Sequence, residues 1–494
     1  MVINIILAIL VLSIIIIIHE FGHFIVAKAN GITVVEFSLG FGPKLIHFKK
    51  GETEYSLKLL PFGGACIMLG EDFLEADDDE QEDATEGNNT GKAGSELDND
   101  FCNGKTAEDN GFGNTSRYSS DNTSAGSYMS EKKKQEALEA GYDMSKSFAN
   151  KSVWARIAVI AAGPIFNFIL AFVCSVVIIG SIGYDPCMVD VVYDNSPAVS
   201  AGLKEGDKII KVNNQKITFY RDYSFYRVYH ADDTMNITYE RDGQKYTTTL
   251  TPEYVKQQKY QMGVTLEQNG TIAGVSDGTP AQKAGIKKGD IITAVNGVAV
   301  DGSTKIIELV GQGNGESVDI TINRDGNTMQ LNVTTDSVEN EYYYTGFASY
   351  GARQKVSPIS VIGYAFKEVG YSVNTVVKSL GMMFTGQVGI NDLSGPVGTV
   401  SAMSNIVEES KADGTFYVIL NLLNLAGLIS ANLGVMNLLP IPALDGGRLV
   451  FLILEVLRGK PVKKEHEGMV HFVGMIFLFV LMIYVMFKDI RGLF

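Results

Sequence analysis

The sequence contains few cysteines, and their spacing matches no common cysteine site. There are 4 in 494 residues, at positions 66, 102, 174 and 187, and no two of them form a CxxC pair. This wide spacing argues against a disulfide framework and against a cysteine metal site. We interpret Cys66 and Cys174 as small core residues, and the sequence assigns no role to Cys102 or Cys187.

Clustered basic charge is also absent from the sequence. The chain carries 41 Lys and Arg against 56 Asp and Glu, a formal net charge of −15. Residues 71–140 alone hold 19 acidic and 6 basic residues, so the rest of the chain is close to neutral. Phosphate binding needs a clustered basic face, and we therefore expect no nucleic-acid partner.

The acidic segment also lacks large apolar side chains. From about 75 to 140 it consists mainly of Asp, Glu, Asn, Gly and Ser. Such a stretch buries too little surface to offset the entropy lost on ordering. We predict a disordered, cytoplasmic insert there.

The first long apolar run lacks the features of a cleaved signal peptide. Residues 2–18 are apolar apart from Asn4 and Ser13, with no basic segment before them and no small-residue cleavage site after them. We therefore predict a retained transmembrane helix from residue 2 to about residue 28, since a span needs roughly 20 residues.

Three further spans are predicted downstream. One covers 156–182, and two lie in the apolar segments at about 416–457 and 468–487. Pro440 and Pro442 break the first of those segments, so it is either a discontinuous helix or a span followed by a surface piece.

Basic residues flank these spans unevenly and predict an orientation. Loops rich in Lys and Arg follow the first span, precede the second and separate the last two. Because cytoplasmic loops carry an excess of such residues, we expect these loops and the acidic insert inside the cell and both chain ends outside.

Between the second and third spans lies an internal repeat with a constant offset of 83 residues. Ser196-Pro197-Ala198, Gly206-Asp207 and Arg241-Asp242-Gly243 recur as Thr279-Pro280-Ala281, Gly289-Asp290 and Arg324-Asp325-Gly326. An ungapped match over this length predicts a duplicated domain.

The motif His19-Glu20-Phe21-Gly22-His23 stands at the end of the first apolar run. On a helix, His19 and His23 lie one turn apart, so both imidazoles can reach one zinc ion while Glu20 acts as general base. The pattern also occurs by chance in soluble helices. Ionisable groups within a membrane segment are costly unless they are functional, and this context favours a zinc site.

Zinc needs a third protein ligand, and the best candidate is Asp445. It follows the helix-breaking stretch from Asn437 to Pro442 and precedes Gly446-Gly447. Irregular backbone at membrane depth is tolerated only around a cavity or site. The alternative is that Asp445 simply caps the helix that begins after the break.

Taken together, these motifs resemble the bacterial site-2 protease family of regulated intramembrane proteolysis, in its form with tandem PDZ domains. The resemblance covers most of the chain outside the acidic insert. It is carried by HEFGH, GFGPKL, PFGG, GPIFN, LSGPVG and NLLPIPALDGG.

The resemblance implies a role for each matching residue. His19, His23 and Asp445 would bind Zn²⁺, and Glu20 would be the general base. Substrate contacts are implied for the following residues: Asn432, Asn437, Pro440, Pro442, Gly63 and Gly64. Residues 53–70 resemble a membrane-reentrant β-loop that pairs with an unwound substrate strand. Where the family has a tyrosine after its Gly-Gly pair, this chain has Ala65-Cys66, and the acidic insert has no family counterpart.

The expected fold class is a polytopic α-helical membrane protein with four transmembrane helices, a reentrant β-loop and two extracytoplasmic PDZ-like α/β domains. The expected substrates are pre-trimmed transmembrane proteins such as anti-sigma factors or remnant signal peptides, held in the lipid bilayer. Peptides or substrate ectodomains are expected at the PDZ-like domains, and the resemblance implies that these domains exclude substrates with intact extracytoplasmic domains. The alternative is that they are passive spacers. The chain is expected to divide into seven segments. The membrane parts are 1–74 (first span with the zinc motif and the β-loop), 151–185 (second span), 350–400 (amphipathic, membrane-associated) and 410–494 (third and fourth spans). The others are 75–150 (acidic insert), 186–265 (first PDZ-like domain) and 266–340 (second PDZ-like domain).

Two other function classes remain open from the sequence. A catalytically idle scaffold would hold partners through its PDZ pair, but it would not need Glu20 and Asp445. A zinc transporter would need more spans and more polar residues within them.

Overall fold

We analysed a computed structural model of the chain, which describes residues 2–71, 138, 141–267, 269–387, 389, 395–411 and 414–491. Most of the predicted acidic insert and Cys102 lie outside these residues. The described part divides into two compact units. The first, called the membrane unit, is Met1–Gly183 with Lys355–Phe494, and the second, called the repeat unit, is Tyr184–Gln354.

The helices are given in chain order. They are α1 Val2–Ala29, α2 Val153–Ile182, α3 Pro197–Ser200, α4 Tyr220–Tyr229, α5 Pro280–Lys283, α6 Ser303–Gly311, α7 Pro358–Phe384, α8 Pro396–Ser410, α9 Thr415–Leu438, α10 Asp445–Arg458 and α11 Lys464–Arg491. Two 3₁₀ turns, Met144–Lys146 and Phe148–Asn150, precede α2.

The strands belong to small antiparallel sheets. They are β1 Val34–Lys50, β2 Thr53–Met68, β3 Val191–Val192, β4 Lys208–Val212, β5 Gln215–Lys216, β6 Met235–Arg241, β7 Gln244–Leu250, β8 Glu253–Gln261, β9 Val264–Leu266, β10 Ile272–Val275, β11 Ile291–Val295, β12 Val298–Ala299, β13 Ser317–Arg324, β14 Asn327–Thr334, β15 Asp336–Tyr344 and β16 Phe347–Ala348.

Within the described residues, four helices are long and apolar enough to cross a membrane. They contain the stretches Ile3–Ala29, Val153–Ile182, Thr415–Leu438 and Glu465–Arg491. Each corresponds to a predicted span. A helix suits these sequences because every backbone N–H and C=O within lipid must find its partner inside the segment.

The third apolar segment is divided in two. Helix α9 ends at Leu438, residues 439–444 form a break, and α10 starts at Asp445. The expected amphipathic segment 350–400 contains all of α7, and a separate helix, α8, begins near its end.

Strands β1 and β2 each bend and pair twice. Residues 34–39 pair with 64–68 on one side and with 54–57 on the other. Residues 53–58 pair in turn with 44–50, so the order across the sheet is 64–68, 34–39, 53–58, 44–50. The resulting sheet has segment 64–68 at one edge. In the described part of the chain, no strand pairs with the outer side of this segment, which we call the edge segment.

An apolar cluster joins the sheet to the helices. It includes Ala27 at the end of α1, Val34 and Met68 of the sheet, Val159 of α2 and Leu452 of α10. Burial of these side chains fixes the sheet against three helices that arrive from distant parts of the sequence.

The two repeats form two separate hydrophobic cores in the repeat unit. Their order differs from the sequential domains expected at 186–265 and 266–340. Phe347, which follows the second repeat in sequence, packs in the first core, while Met262 already belongs to the second. The second module is therefore inserted within the first, and the antiparallel pair β8 and β15 connects them.

The same buried ion pair recurs in both modules. Arg241 binds Asp207 through two nitrogens, and Arg324 binds Asp290 in the same way. Asp207 is 0% exposed and Asp290 is 1% exposed. The repeated Gly-Asp and Arg-Asp-Gly motifs thus encode a charge pair that ties the start of one strand to the end of another.

Removal of this pair should destabilise the second module in a pH-dependent way. The Arg324 guanidinium hydrogen-bonds Asp290 and holds the pKa of that carboxyl below its usual value. The pair therefore contributes stability above the unfolded-state pKa of about 3.9, and this contribution is lost as the pH falls through the folded-state pKa. We predict that Arg324→Ala speeds amide hydrogen exchange in residues 262–333 at pH 7.

The matched control is Lys305→Ala, which removes an exposed ion pair with Glu308 in the same module and should change exchange little. Equal exchange in Arg324→Ala and wild type at pH 7 would contradict the prediction, as would a stability difference that does not shrink as the pH falls below about 3.9.

Candidate metal centre

Two ring nitrogens of α1 meet in the interior of the membrane unit. His19 and His23 are 8% and 7% exposed, and their Nε2 atoms lie 3.3 Å apart. The spacing of four residues places both rings on one face of the helix. As predicted from the motif, the two side chains point to a common position.

Asp445 completes the cluster from the opposite end of the chain. Its Oδ2 lies 3.2 Å from His19 Nε2 and 3.4 Å from His23 Nε2. Asp445 is the first residue of α10, directly after the break at 439–444. The three side chains form a group that could hold a metal ion.

The size of this triangle fits zinc. Tetrahedral zinc with bonds of about 2.0–2.1 Å has ligand atoms about 3.3 Å apart. The three observed separations are 3.2, 3.3 and 3.4 Å. Asp445 Oδ2 is buried, and no group in the described part of the chain donates a hydrogen bond to it. A cation is the group that would satisfy these converging lone pairs.

The second ring nitrogens have partners on α2. His23 Nδ1 lies 2.8 Å from the carbonyl oxygen of Val159, so an Nδ1–H can donate there and leave Nε2 for a metal. His19 Nδ1 faces the amide of Asn167, at 3.1 Å from its Nδ2. Asn167 Oδ1 is buried without a partner, and a 180° turn of the amide directs it to His19 Nδ1–H.

Gly163 of α2 leaves the space that the imidazoles occupy. A Cβ at this position would lie 2.3 Å from His23 Nε2 and 2.7 Å from His19 Cε1. No side chain larger than hydrogen fits there without moving the ligands. Gly163 is therefore part of the wall of the metal centre.

Glu20 and the edge segment share a cavity with the metal ligands. The cavity has a volume of about 510 Å³ and is lined by His19, Glu20, His23, residues 64–68, Glu71, Ile160, Ala443, Asp445 and Arg448. A Cβ on Gly64 would lie 2.8 Å from Glu20 Cγ. Gly64 thus allows the edge segment to approach the acidic side chain.

The remaining predicted substrate residues lie outside the lining of this cavity. Asn432 and Asn437 lie on α9, and Pro440 and Pro442 lie in the break that follows it. Asn432 Oδ1 is buried and has no hydrogen-bond partner among the described residues. Gly63 adopts φ +87°, a left-handed conformation that favours glycine.

Sequence reasoning missed two positions that hold the break in place. Ala443 has φ +74°, a strained value for a residue with a Cβ. Its N–H donates to Nδ1 of His471, a buried residue of α11, at 2.9 Å. No sequence motif marks His471, because its partner is a backbone N–H 28 residues away.

Comparison with protein families gives an independent result. The model described as Peptidase family M50 matches residues 7–481. This chain belongs to peptidase family M50. It is 30% identical to the zinc metalloprotease RasP of Bacillus licheniformis over 98% of both chains. It is also 30% identical to the regulator of sigma-W protease RasP of Bacillus subtilis, over 96% of this chain and 95% of that protein.

A third M50 relative, the zinc metalloprotease RasP of Shouchella clausii, shows 30% identity over 98% of both chains. Among solved structures, an HtrA3 PDZ domain bound to a phage-derived ligand aligns with 17% of this chain and 93% of its own. The identity is 20% and the TM-score is 0.16. The PDZ-like interpretation of the repeats therefore depends on their sequence motif.

Family membership confirms part of the expected function. The protein is a zinc metalloprotease of the site-2 type with Zn²⁺ as its cofactor. It is a multi-pass protein of the cell membrane and belongs to the enzymes of regulated intramembrane proteolysis.

Substitution of Gly163 tests the packing of the metal centre. We predict that Gly163→Ala lowers zinc content and reduces activity by about tenfold or more, because its Cβ would displace both imidazoles. Alanine favours a helix over glycine by about 1 kcal/mol, so loss of helix stability would not explain the result. Zinc is measured by elemental analysis of the purified protein.

Gly180→Ala in the same helix is the control, since open space surrounds that position. Full zinc content in Gly163→Ala would show that the imidazoles do not need this gap.

Proposed function

We propose that the protein is an intramembrane endopeptidase that cuts a peptide bond within the transmembrane segment of a pre-trimmed membrane protein. The observation that carries this proposal is one cavity lined by His19, His23, Asp445, Glu20 and the edge segment. His19, Glu20 and His23 lie on α1, a helix that is apolar enough to span the membrane. The edge segment is a strand beside this helix.

Each residue has a specific part in the proposed mechanism. His19, His23 and Asp445 hold the zinc, which when bound supplies a Lewis acid that activates water and polarises the peptide carbonyl. Glu20 accepts the proton of the attacking water and later delivers it to the leaving amine. Asn167 and the Val159 carbonyl keep the two imidazoles oriented through their Nδ1 atoms.

The substrate must be extended at the cut site, because a helical backbone closes its carbonyls to attack. The outer side of the edge segment offers unpaired backbone groups next to the catalytic residues. An unwound substrate would add to it as a further strand. Asn432 Oδ1 is buried and has no donor among the described residues, and we propose that it accepts a substrate N–H.

Orientation and substrates follow from charge and family. Lys-rich flanks support a metal centre towards the cytoplasm and a repeat unit outside the cell. The B. subtilis relative is called a regulator of sigma-W protease, which supports membrane-anchored anti-sigma factors as one substrate class. Remnant signal peptides are a second class of single-span substrate.

The PDZ-like modules would restrict access from the outer side. Their nested chain path makes them one body joined by the paired strands β8 and β15. We propose that they exclude substrates with an intact extracytoplasmic domain and bind extended peptides at a sheet edge.

Replacement of the general base separates catalysis from metal binding. We predict that Glu20→Gln lowers cleavage of a truncated single-span substrate by about 10²–10⁴-fold, while zinc content stays at the wild-type level. The assay uses purified full-length protein in liposomes, and product formation is followed by mass spectrometry. A second substrate, with a folded domain fused to its outer end, should be cut more slowly.

Equal cleavage by wild type and Glu20→Gln would refute the protease mechanism. That result would favour a scaffold whose modules only hold partner proteins. The activity to measure would then be partner binding, not hydrolysis.

A further inference from the structure

A second charged pair lines the catalytic cavity and has no part in the proposed chemistry. Arg448 lies one helical turn after Asp445 on α10, and Glu71 follows the edge segment by three residues. Arg448 Nη1 donates to Glu71 Oε1. The side chain of Glu71 is 13% exposed and that of Arg448 is 31% exposed.

Glu71 also binds the end of the edge segment. Its Oε2 accepts from the backbone N–H of Met68 at 3.3 Å, and its own N–H donates to the Met68 carbonyl oxygen at 3.2 Å. One carboxylate therefore bridges two elements. It connects the last residue of the edge segment to the helix whose first residue is the metal-binding Asp445.

We propose that Arg448 and Glu71 are positioning residues that set the register between a bound substrate strand and the metal centre. This inference depends on the proposed function, in which the substrate pairs with the edge segment. The pair determines which peptide bond faces the zinc, whereas Glu20 determines whether that bond is cut.

The periodicity of strand pairing explains why a small displacement matters. A substrate strand that slips by one residue turns its side chains to the opposite faces, while a slip of two residues restores the same facing. A residue in a strand advances by about 3.3 Å. Hydrolysis requires the reacting atoms to lie within about 3–3.5 Å of each other. A shift of one residue therefore moves a peptide bond out of reach, and the position of the edge segment relative to the metal centre decides which substrate peptide bond is cut.

The pair helps to hold the Met68 end of the edge segment. Loss of the Glu71 carboxylate weakens the contact with the Met68 N–H, and loss of Arg448 removes the cation that orients this carboxylate, so we expect either change to loosen the segment. A loosened segment would accept the substrate in more than one register. The expected signature is a mixture of products that differ by two residues.

The test measures cleavage position, kinetic constants and zinc content of the full-length protein in liposomes. The variants are Arg448→Ala, Glu71→Gln and the charge reversal Glu71→Arg with Arg448→Glu. Glu71→Gln keeps the side-chain size. It allows the cleavage position to be measured even if Arg448→Ala fails to fold. The substrate is a truncated single-span peptide, and products are identified by mass spectrometry.

The matched control is Arg156→Ala. Arg156 pairs with Glu455 and so joins α2 to the same helix α10, but it does not line the catalytic cavity. This variant removes an Arg–Glu pair that is more deeply buried, with Arg156 at 5% exposed against 31% for Arg448, and it should keep a single cleavage position even if its rate falls.

We expect Arg448→Ala and Glu71→Gln to retain zinc, to lose roughly 10- to 100-fold in kcat/KM, and to cut at additional bonds two residues away. The charge reversal should restore the dominant site in part. A single unchanged cleavage site in both single variants would overturn the inference. Loss of zinc in Arg448→Ala would do so as well, because the pair would then support the metal and not the register.

The proposed function and this inference fail differently. If Glu20→Gln cuts as fast as wild type, the proposed function is wrong. If cleavage depends on Glu20 but keeps one register in both single variants, only the positioning role is wrong.

Discussion

Three electron-pair donors converge inside a membrane protein, and the rest of the membrane unit is arranged around that constraint. His19, His23 and Asp445 approach within 3.4 Å of one another, and mutual repulsion opposes this arrangement unless a cation lies between them. In a medium of low dielectric constant, the repulsion among the three donors is strong, and so is their attraction to a cation. A metal ion held by these three residues would link the first helix to a helix more than 400 residues later.

Helix α2 provides the wall against which this link forms. Gly163 leaves space for the imidazoles, while Asn167 and the Val159 carbonyl contact their outer nitrogens. The backbone carbonyl of Asn167 also accepts a hydrogen bond from the Ser430 hydroxyl of α9, at 2.8 Å. The second span thus supports the metal ligands and holds the helix that precedes the break.

The sequence predicted the parts of the site that have a local signature. His19 and His23 share one helical face, Asp445 stands beside two prolines and two glycines, and the repeat appears as a fixed offset. Contacts between distant segments have no such signature. Nothing near His471 indicates that it holds Ala443, and the position of Phe347 in the first repeat core became evident only from packing. The division of 355–411 into α7 and α8 was missed for the same reason.

The central claim is that residue 445 coordinates the metal held by His19 and His23, and X-ray absorption at the zinc edge of Asp445→Cys tests it most directly. A thiolate at this position should add one sulfur at about 2.3 Å to two imidazole nitrogens at about 2.0 Å. The wild type should show nitrogen and oxygen only. Zinc retained in Asp445→Cys without any sulfur neighbour would contradict the account, because the third ligand would then come from another residue.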